Sequence, residues 1–273
     1  MAAPFTRILS DVHYGDKVSR VASLEQLRPL LEGPGALLFN GDTLDTRTGP
    51  DPAADARRLE EVRAFAASAG LPVSLLTGNH DPDISSDHAT ELAGGRVLVT
   101  HGDILFDNIV PWSREASVLR RKVIAALAAM PPGANATFEG RLKAFRAVSA
   151  SIPQTHQSEG NLVLYAIGLA SNTVWPPHRM MHMLQAWSEA PSRAASIAAR
   201  HRPSAAVIVI GHTHRPGVWR TAAGVTVVNT GSFCRPFGGI AADVSEAGVS
   251  IRRVGLERGA FRIGRTVTEI PLS

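Results

Sequence analysis

Five short apolar runs in this chain end in polar tips that contain glycine or lead into it. That repetition constrains the fold more than any other feature. The runs are FTRILSDVH (Phe5–His13), GALLFNGDTLD (Gly35–Asp45), LPVSLLTGNHD (Leu71–Asp81), GRVLVTHGD (Gly95–Asp103) and AAVIVIGHTH (Ala205–His214). Each apolar part has the length of a strand and is bounded by glycine or a polar cluster. Helical patterns lie between them. Asp51–Gly70 places Leu59, Val62, Phe65 and Ala69 on one face, with Gly70 as the C-cap. Ser23–Gly33 starts at a serine N-cap, and Pro29 predicts a kink or two pieces within it. Alternation of strand and helix indicates an α/β domain around a central sheet. Sites in such sheets gather on loops beyond the carboxyl ends of the strands, which is where all five tips lie.

The alternation stops between about Asp107 and Pro203. Ser113–Met130 carries Val118, Leu119, Val123, Leu127 and Met130 at helical spacing, and Glu139–Ile152, Gly160–Trp175 and His178–Pro203 read as further helices. Strands resume after Pro203 with Ala205–His214, Gly224–Phe233, Gly239–Val254 and Phe261–Ile270. The expected organisation is therefore a core of residues 1–106 and 203–273 with a helical cap inserted at 107–202.

The tips carry metal-ligand chemistry. Strand side chains alternate, so Asp11 and His13 share a face if extended geometry persists to the tip, as do His212 and His214. Asp42, Asn79 and His101 add a carboxylate, an amide oxygen and an imidazole from three other tips. This set is rich in oxygen and nitrogen and has no thiolate, which suits Mn²⁺, Fe or Zn²⁺ better than a structural cysteine site. Seven side chains exceed the needs of one tetrahedral ion. Two ions about 3.5–4 Å apart, sharing a carboxylate, would use them all.

In order and spacing, Asp11-x-His13, Gly41-Asp42-x-x-Asp45, Gly78-Asn79-His80-Asp81, His101 and Gly211-His212-x-His214 resemble the signature of the calcineurin-like metallophosphoesterases. The resemblance implies a four-layer α/β/β/α sandwich of two mixed sheets with a dimetal site at one edge. It implies one divalent ion on Asp11, His13, Asp42 and His214, and a second on Asp42, Asn79, His101 and His212, with Asp42 bridging. It further implies hydrolysis of a phosphate ester or anhydride by a metal-bridging hydroxide, with His80 off the metals as stabiliser or proton donor. Mn²⁺ is the expected metal. Asp45 and Asp81 are candidates for orienting these groups from behind; Asp103 stays open. The helical insertion resembles the layout of bacterial UDP-2,3-diacylglucosamine pyrophosphatases, which would make the substrate an amphiphilic nucleotide diphosphate met at the inner-membrane surface. This chain departs from that group in having Gly-Asn-His-Asp where the group has Gly-Asn-Arg-Asp. A cyclic-nucleotide phosphodiesterase would use the same metal site. A non-catalytic scaffold would be expected to have lost ligands, and every ligand type is present.

Composition narrows the partners. A net charge of +4 and a pI near 9.8 suit a small phosphorylated substrate and do not call for nucleic acid. The N-terminal MAAPFTRILSDVH reads as a strand rather than a signal peptide, and no window is apolar enough to span a bilayer. The single cysteine, Cys234, excludes an intrachain disulfide and points to the reducing cytoplasm; it is expected to be a small buried residue. His88, His156, His178, His182 and His201 lie outside the motifs, and most of them are expected on helices or the surface with no catalytic role. Arg120, Arg121 and Lys122 are expected on a solvated helix face, and the methionines of RMMHMLQAW in core or cap packing. Asn229–Phe233 is expected to turn beside the site.

Overall fold

The computed structural model describes residues 4–154 and 177–272 of the chain. In chain order its elements are β1 (Thr6–Leu9), β2 (Ala36–Asn40), α1 (Pro52–Ala67), β3 (Val73–Leu76), β4 (Ala89–Leu92), β5 (Val97–Thr100), α2 (Ala116–Ala128), α3 (Phe138–Ala150), α4 (His178–His201), β6 (Val207–Ile210), β7 (Gly217–Arg220), β8 (Thr226–Asn229), β9 (Gly239–Val244), β10 (Gly248–Glu257) and β11 (Ala260–Pro271). One sheet runs β11-β10-β9-β1-β2-β3 and the other β4-β5-β6-β8-β7. Both are mixed: β1, β2 and β3 are parallel, as are β5, β6 and β8, while β9 and β4 pair antiparallel to their neighbours.

The period-two pattern of each strand builds four layers. Ile8, Leu38 and Leu76 from one sheet meet Val97, Val99, Val207, Val209 and Val228 from the other in an apolar inter-sheet core. Their alternates, Leu9, Leu37 and Phe39, point outward onto Val62 and Phe65 of α1 and onto Leu27 and Leu30. On the opposite side Leu98, Ile208, Ile210 and Val227 point outward onto Val123 of α2, Phe145 of α3 and the alanines of α4. The α/β/β/α sandwich expected from the resemblance is the fold observed, with the inserted helices forming its outer layer.

The Leu24–Leu31 stretch is a 3₁₀ helix rather than a kinked or divided α-helix. Pro29 has no N–H for an i→i−4 bond, and the tighter winding stacks Leu24, Leu27 and Leu30 on one buried face. Ser23 caps it in a reciprocal box with Gln26. His178–His201 is one helix that runs through Pro191. Its alanines, Ala186, Ala190, Ala194, Ala195 and Ala198, bury a small-residue stripe against the five-stranded sheet, which compensates for a proline that costs about 3 kcal/mol in a helix interior. Gly239–Val254 divides into two strands of a hairpin closed between Ser245 and Gly248. β4 and β7 were not foreseen; they are edge strands of four residues with half-exposed side chains. The helix expected at 160–175 and His156 lie outside the described residues. β1 and β9 are also locked by a buried pair, in which Arg7 Nε and Nη2 donate to Asp243 at 2.7 and 2.8 Å across the register Arg7↔Asp243.

Candidate metal centre

β1, β2, β5 and β6 all end within two residues of a polar tip, and their tips meet over the edge of the two sheets. Strand alternation predicts extended backbone carrying residues i and i+2 to one side. The structure corrects this. β1 stops at Leu9 and β6 at Ile210, and Asp11, His13, Asp42, His212 and His214 all have positive φ, between 48° and 65°. Left-handed backbone costs roughly 1–2 kcal/mol at each non-glycine residue, so five such residues persist only because the surroundings hold them. Cross-tip hydrogen bonds do this. Asp11 N–H donates to Gly41 C=O at 3.1 Å, His13 N–H to Asp42 C=O at 2.9 Å, Gly211 N–H to His101 C=O at 2.8 Å and Phe233 N–H to Asp11 C=O at 3.0 Å.

The side chains then converge in groups that could each hold an ion. Asp11, His13 and His214 bring one donor atom each to within 4.8 Å of one another, as do Asp42, His101 and His212, and a third such group joins His13, Asp42 and His80. The structure brings all seven expected ligands toward this place: Asn79 follows Gly78, which packs on Asp42, and its buried Oδ1 has no hydrogen-bond partner. His13 Nε2 and His214 Nε2 face each other at 3.3 Å, and His214 Nε2 lies 3.1 Å from Asp11 Oδ1. His101 Nδ1–H donates to Asn40 C=O at 2.9 Å, which leaves Nε2 toward Asp42 Oδ2 at 3.2 Å. His212 Nε2–H donates to Ile109 C=O at 2.9 Å, which leaves Nδ1 as its lone-pair nitrogen. A Cβ on Gly78 would run into Asp42, and one on Gly211 into Asp11. Converging carboxylate oxygens and imidazole nitrogens, an orphaned amide oxygen and glycine-lined approaches fit divalent cations bound by oxygen and nitrogen.

The electrostatics agree with that fit. Burial works against a charged Asp42, yet His101, His80 and His13 hold its carboxyl well below the usual range. Burial likewise opposes a charged Asp11, and the His214 hydrogen bond with the charges of His101 and His214 brings it lower. Burial pulls His13 down to about 4 against the attraction of Asp42. Burial also disfavours a charged His101, but Asp42 outweighs it and raises the ring well above its ordinary value. The carboxylates thus draw positive charge to this spot.

Around these groups lie the candidates for support. Asp81 accepts the backbone N–H groups of Asp42 at 2.9 Å, Thr43 at 2.7 Å and Gly78 at 2.7 Å, pinning two tips together. His80 has its ring centroid 4.9 Å from that of His13. Its Nδ1 lies 3.0 Å from Asp45 Oδ2 and 2.8 Å from Arg47 Nη2. Burial and Arg47 push the His80 ring down, and Asp42 with Asp45 brings it above its usual value. Asn229 and Thr230 do turn beside the site: Asn229 Nδ2 donates to Gly211 C=O, and Thr230 Oγ1 hydrogen-bonds Ser10 Oγ at 2.6 Å.

Some expectations fail. His88 is neither on a helix nor exposed; it is buried, with Nε2 3.4 Å from Asp103 Oδ1 and Nδ1 against Thr77 Oγ1. His178, His182 and His201 lie on α4 as expected. Met180 and Met181 are exposed among the described residues rather than packed in a core. Arg120, Arg121 and Lys122 are exposed and Cys234 is buried, both as expected. Arg47 was not singled out, although it stands two residues after Asp45. Trp112, whose ring lies 5.9 Å from that of His212, was missed because no motif marks it.

Two proteins named UDP-2,3-diacylglucosamine hydrolase from Stenotrophomonas maltophilia are similar to this chain. The one from strain K279a is 25% identical over 238 residues, 80% of this chain and 86% of the relative. The one from strain R551-3 is 23% identical over the same shares. A solved dimetal phosphatase from Danio rerio superimposes with a TM-score of 0.51 at 15% identity, covering 99% of each chain, and supports the fold. The family model described as calcineurin-like phosphoesterase matches residues 7–216, from the first strand to just beyond the last expected ligand, and the chain belongs to that family.

Proposed function

We propose that the protein hydrolyses a phosphate ester or anhydride with two divalent cations, Mn²⁺ foremost and Fe or Zn²⁺ as alternatives. One is held by Asp11, His13, Asp42 and His214, the other by Asp42, Asn79, His101 and His212. The observation that carries this reading is the pair of donor groups, one around Asp11 and one around Asp42, formed where the strand tips meet. Once bound, such ions supply a nucleophile from water and neutralise charge on the phosphoryl oxygens. The chain's own part is to gather the donors, to fix Asp42 through Asp81, and to present His80 from the side, backed by Asp45, as proton donor to the leaving oxygen. The division into a core of 1–106 and 203–273 and an insertion of 107–202 belongs to this reading.

A second reading concerns the substrate. The similarity to the two bacterial hydrolases supports a nucleotide diphosphate bearing lipid. A groove of about 620 Å³, lined by Arg114, Arg120 and Arg193 together with Asp107 and Glu189, supports a substrate larger than phosphate, since Ile109 C=O of the same segment accepts His212 Nε2–H and the Trp112 ring lies 5.9 Å from that of His212. That substrate would bring the protein to the cytoplasmic face of a membrane; no helix among the described residues is long and apolar enough to cross one. The test is metal analysis followed by assay with Mn²⁺ on p-nitrophenyl phosphate, bis-p-nitrophenyl phosphate and UDP-2,3-diacylglucosamine. Two metals per chain and turnover are expected. Bound metals with no turnover of any of the three would overturn the hydrolase reading, and turnover of the simple esters alone would remove the lipid nucleotide.

A further inference from the structure

The loop after β2 and the loop after β3, which hold His80 and its partners, are both gripped by the inserted helical segment. In the first loop Asp45 and Arg47 meet the His80 ring, and Thr46 N–H donates to His80 C=O at 3.0 Å. Gln154, just beyond α3, holds this loop by its carbonyls. Its Nε2 reaches Arg47 C=O at 2.7 Å and Asp45 C=O at 3.1 Å, with Asp55 Oδ2 at 3.1 Å, and its own N–H donates to Thr48 C=O at 2.9 Å. The second loop follows Asp81. Arg146 of α3 donates to Ser85 C=O at 2.7 Å, to Ser86 C=O at 3.3 Å and to Pro82 C=O. One helix and its tail therefore fix the backbone on both sides of the His80 ring, in a place where no regular strand does so.

We propose that Gln154 and Arg146 are positioning residues for His80, so that the insertion sets the aim of the proton donor as well as covering the sheet. The proposal rests on the reading of His80 given above. Arg47 and Asp45 are both largely buried, pair with each other and both reach His80 Nδ1, so a shift of their loop moves the His80 Nδ1 contacts directly. Misplacement by about 1 Å costs up to roughly 10²-fold in rate.

The test compares phenyl phosphate with p-nitrophenyl phosphate, or the corresponding diesters, in Mn²⁺-loaded Gln154→Ala and Arg146→Ala proteins. Loss of about 10-fold or more in kcat is expected with the phenyl leaving group, and a smaller loss with p-nitrophenolate, which needs little protonation. KM and metal content should be unchanged, Arg146→Lys should retain more activity than Arg146→Ala, and neither alanine should cost anything further in a His80→Ala background. Independently of turnover, the Thr46 amide should exchange its hydrogen faster in Gln154→Ala while sheet amides stay protected. Equal losses with both leaving groups, losses additive with His80→Ala, or an unchanged Thr46 amide overturn the positioning role. If His80→Ala itself shows no dependence on the leaving group, the reading of His80 falls and takes this role with it. If His80→Ala shows that dependence and the two variants do not, the positioning role alone falls.

Discussion

The two sides of the pocket are built differently. On the side of Asp11, His13, His212 and His214, the side chains are placed by backbone: left-handed turns directly after β1 and β6, tied tip to tip by main-chain hydrogen bonds. On the side of His80, placement is by side chains: Asp45 and Arg47 on the ring, Gln154 and Arg146 on the loops beneath them. The first arrangement is tied by main-chain hydrogen bonds to the sheets it grows from. The second depends on rotamers and on a helical segment that arrives from elsewhere in the chain. The metal-donor side leans on strand ends and takes the Ile109 C=O contact from the 107–202 segment, whereas the proposed aiming of His80 draws on Gln154 and Arg146 of that segment.

Substitutions can break that contrast or sharpen it. Asp42→Ala should have the largest effect, loss of both metals and of turnover, because Asp42 belongs to two of the donor groups and holds His80 N–H at 2.8 Å; metal analysis of the purified variant checks it, and two retained ions would break the account of the backbone-built side. His80→Ala should lower kcat by about 10²–10⁴-fold while both metals stay bound, as read by parallel kinetics and metal content. Gly78→Ala has ordinary φ but puts a Cβ against Asp42, and should weaken metal affinity by about 10–100-fold, as measured by calorimetric titration. Asp243→Asn should leave the site untouched. It strands Arg7, only 2% exposed, in the core, and should cost about 3 kcal/mol in urea unfolding with metal affinity unchanged. Cys234, with burial raising its thiol well above the ordinary range, should react with a thiol reagent only as the protein unfolds.

Much of this was legible in the residues, for reasons that differ from place to place. The buried strands declared themselves as aliphatic runs, since inward and outward positions are both apolar: Val207 and Val209 face one layer, Ile208 and Ile210 the other. Edge strands such as Ala89–Leu92 lack that signal because one side meets water. The ligand types and their order were readable, but the geometry that unites them was not. Extended alternation was the expected device and left-handed turns are the actual one, a choice made by cross-tip hydrogen bonds that no local pattern encodes. His88 looked peripheral for a related reason: its partners, Thr77 and Asp103, come from two other segments. Arg47 and Gln154 carry no motif at all, and their place follows only from which carbonyls and ring nitrogen they reach in three dimensions.

The left-handed turns at Asp11 and Asp42 have a consequence for how such a protein can change. Asparagine is at home in that backbone region, whereas a β-branched residue is not. An amide of the same shape at either place would leave the chain's path intact while stripping away the charge that attracts cations. A copy of this sandwich can therefore fall chemically silent in one step without coming apart, and valine or isoleucine at the same two places would fail earlier, at folding.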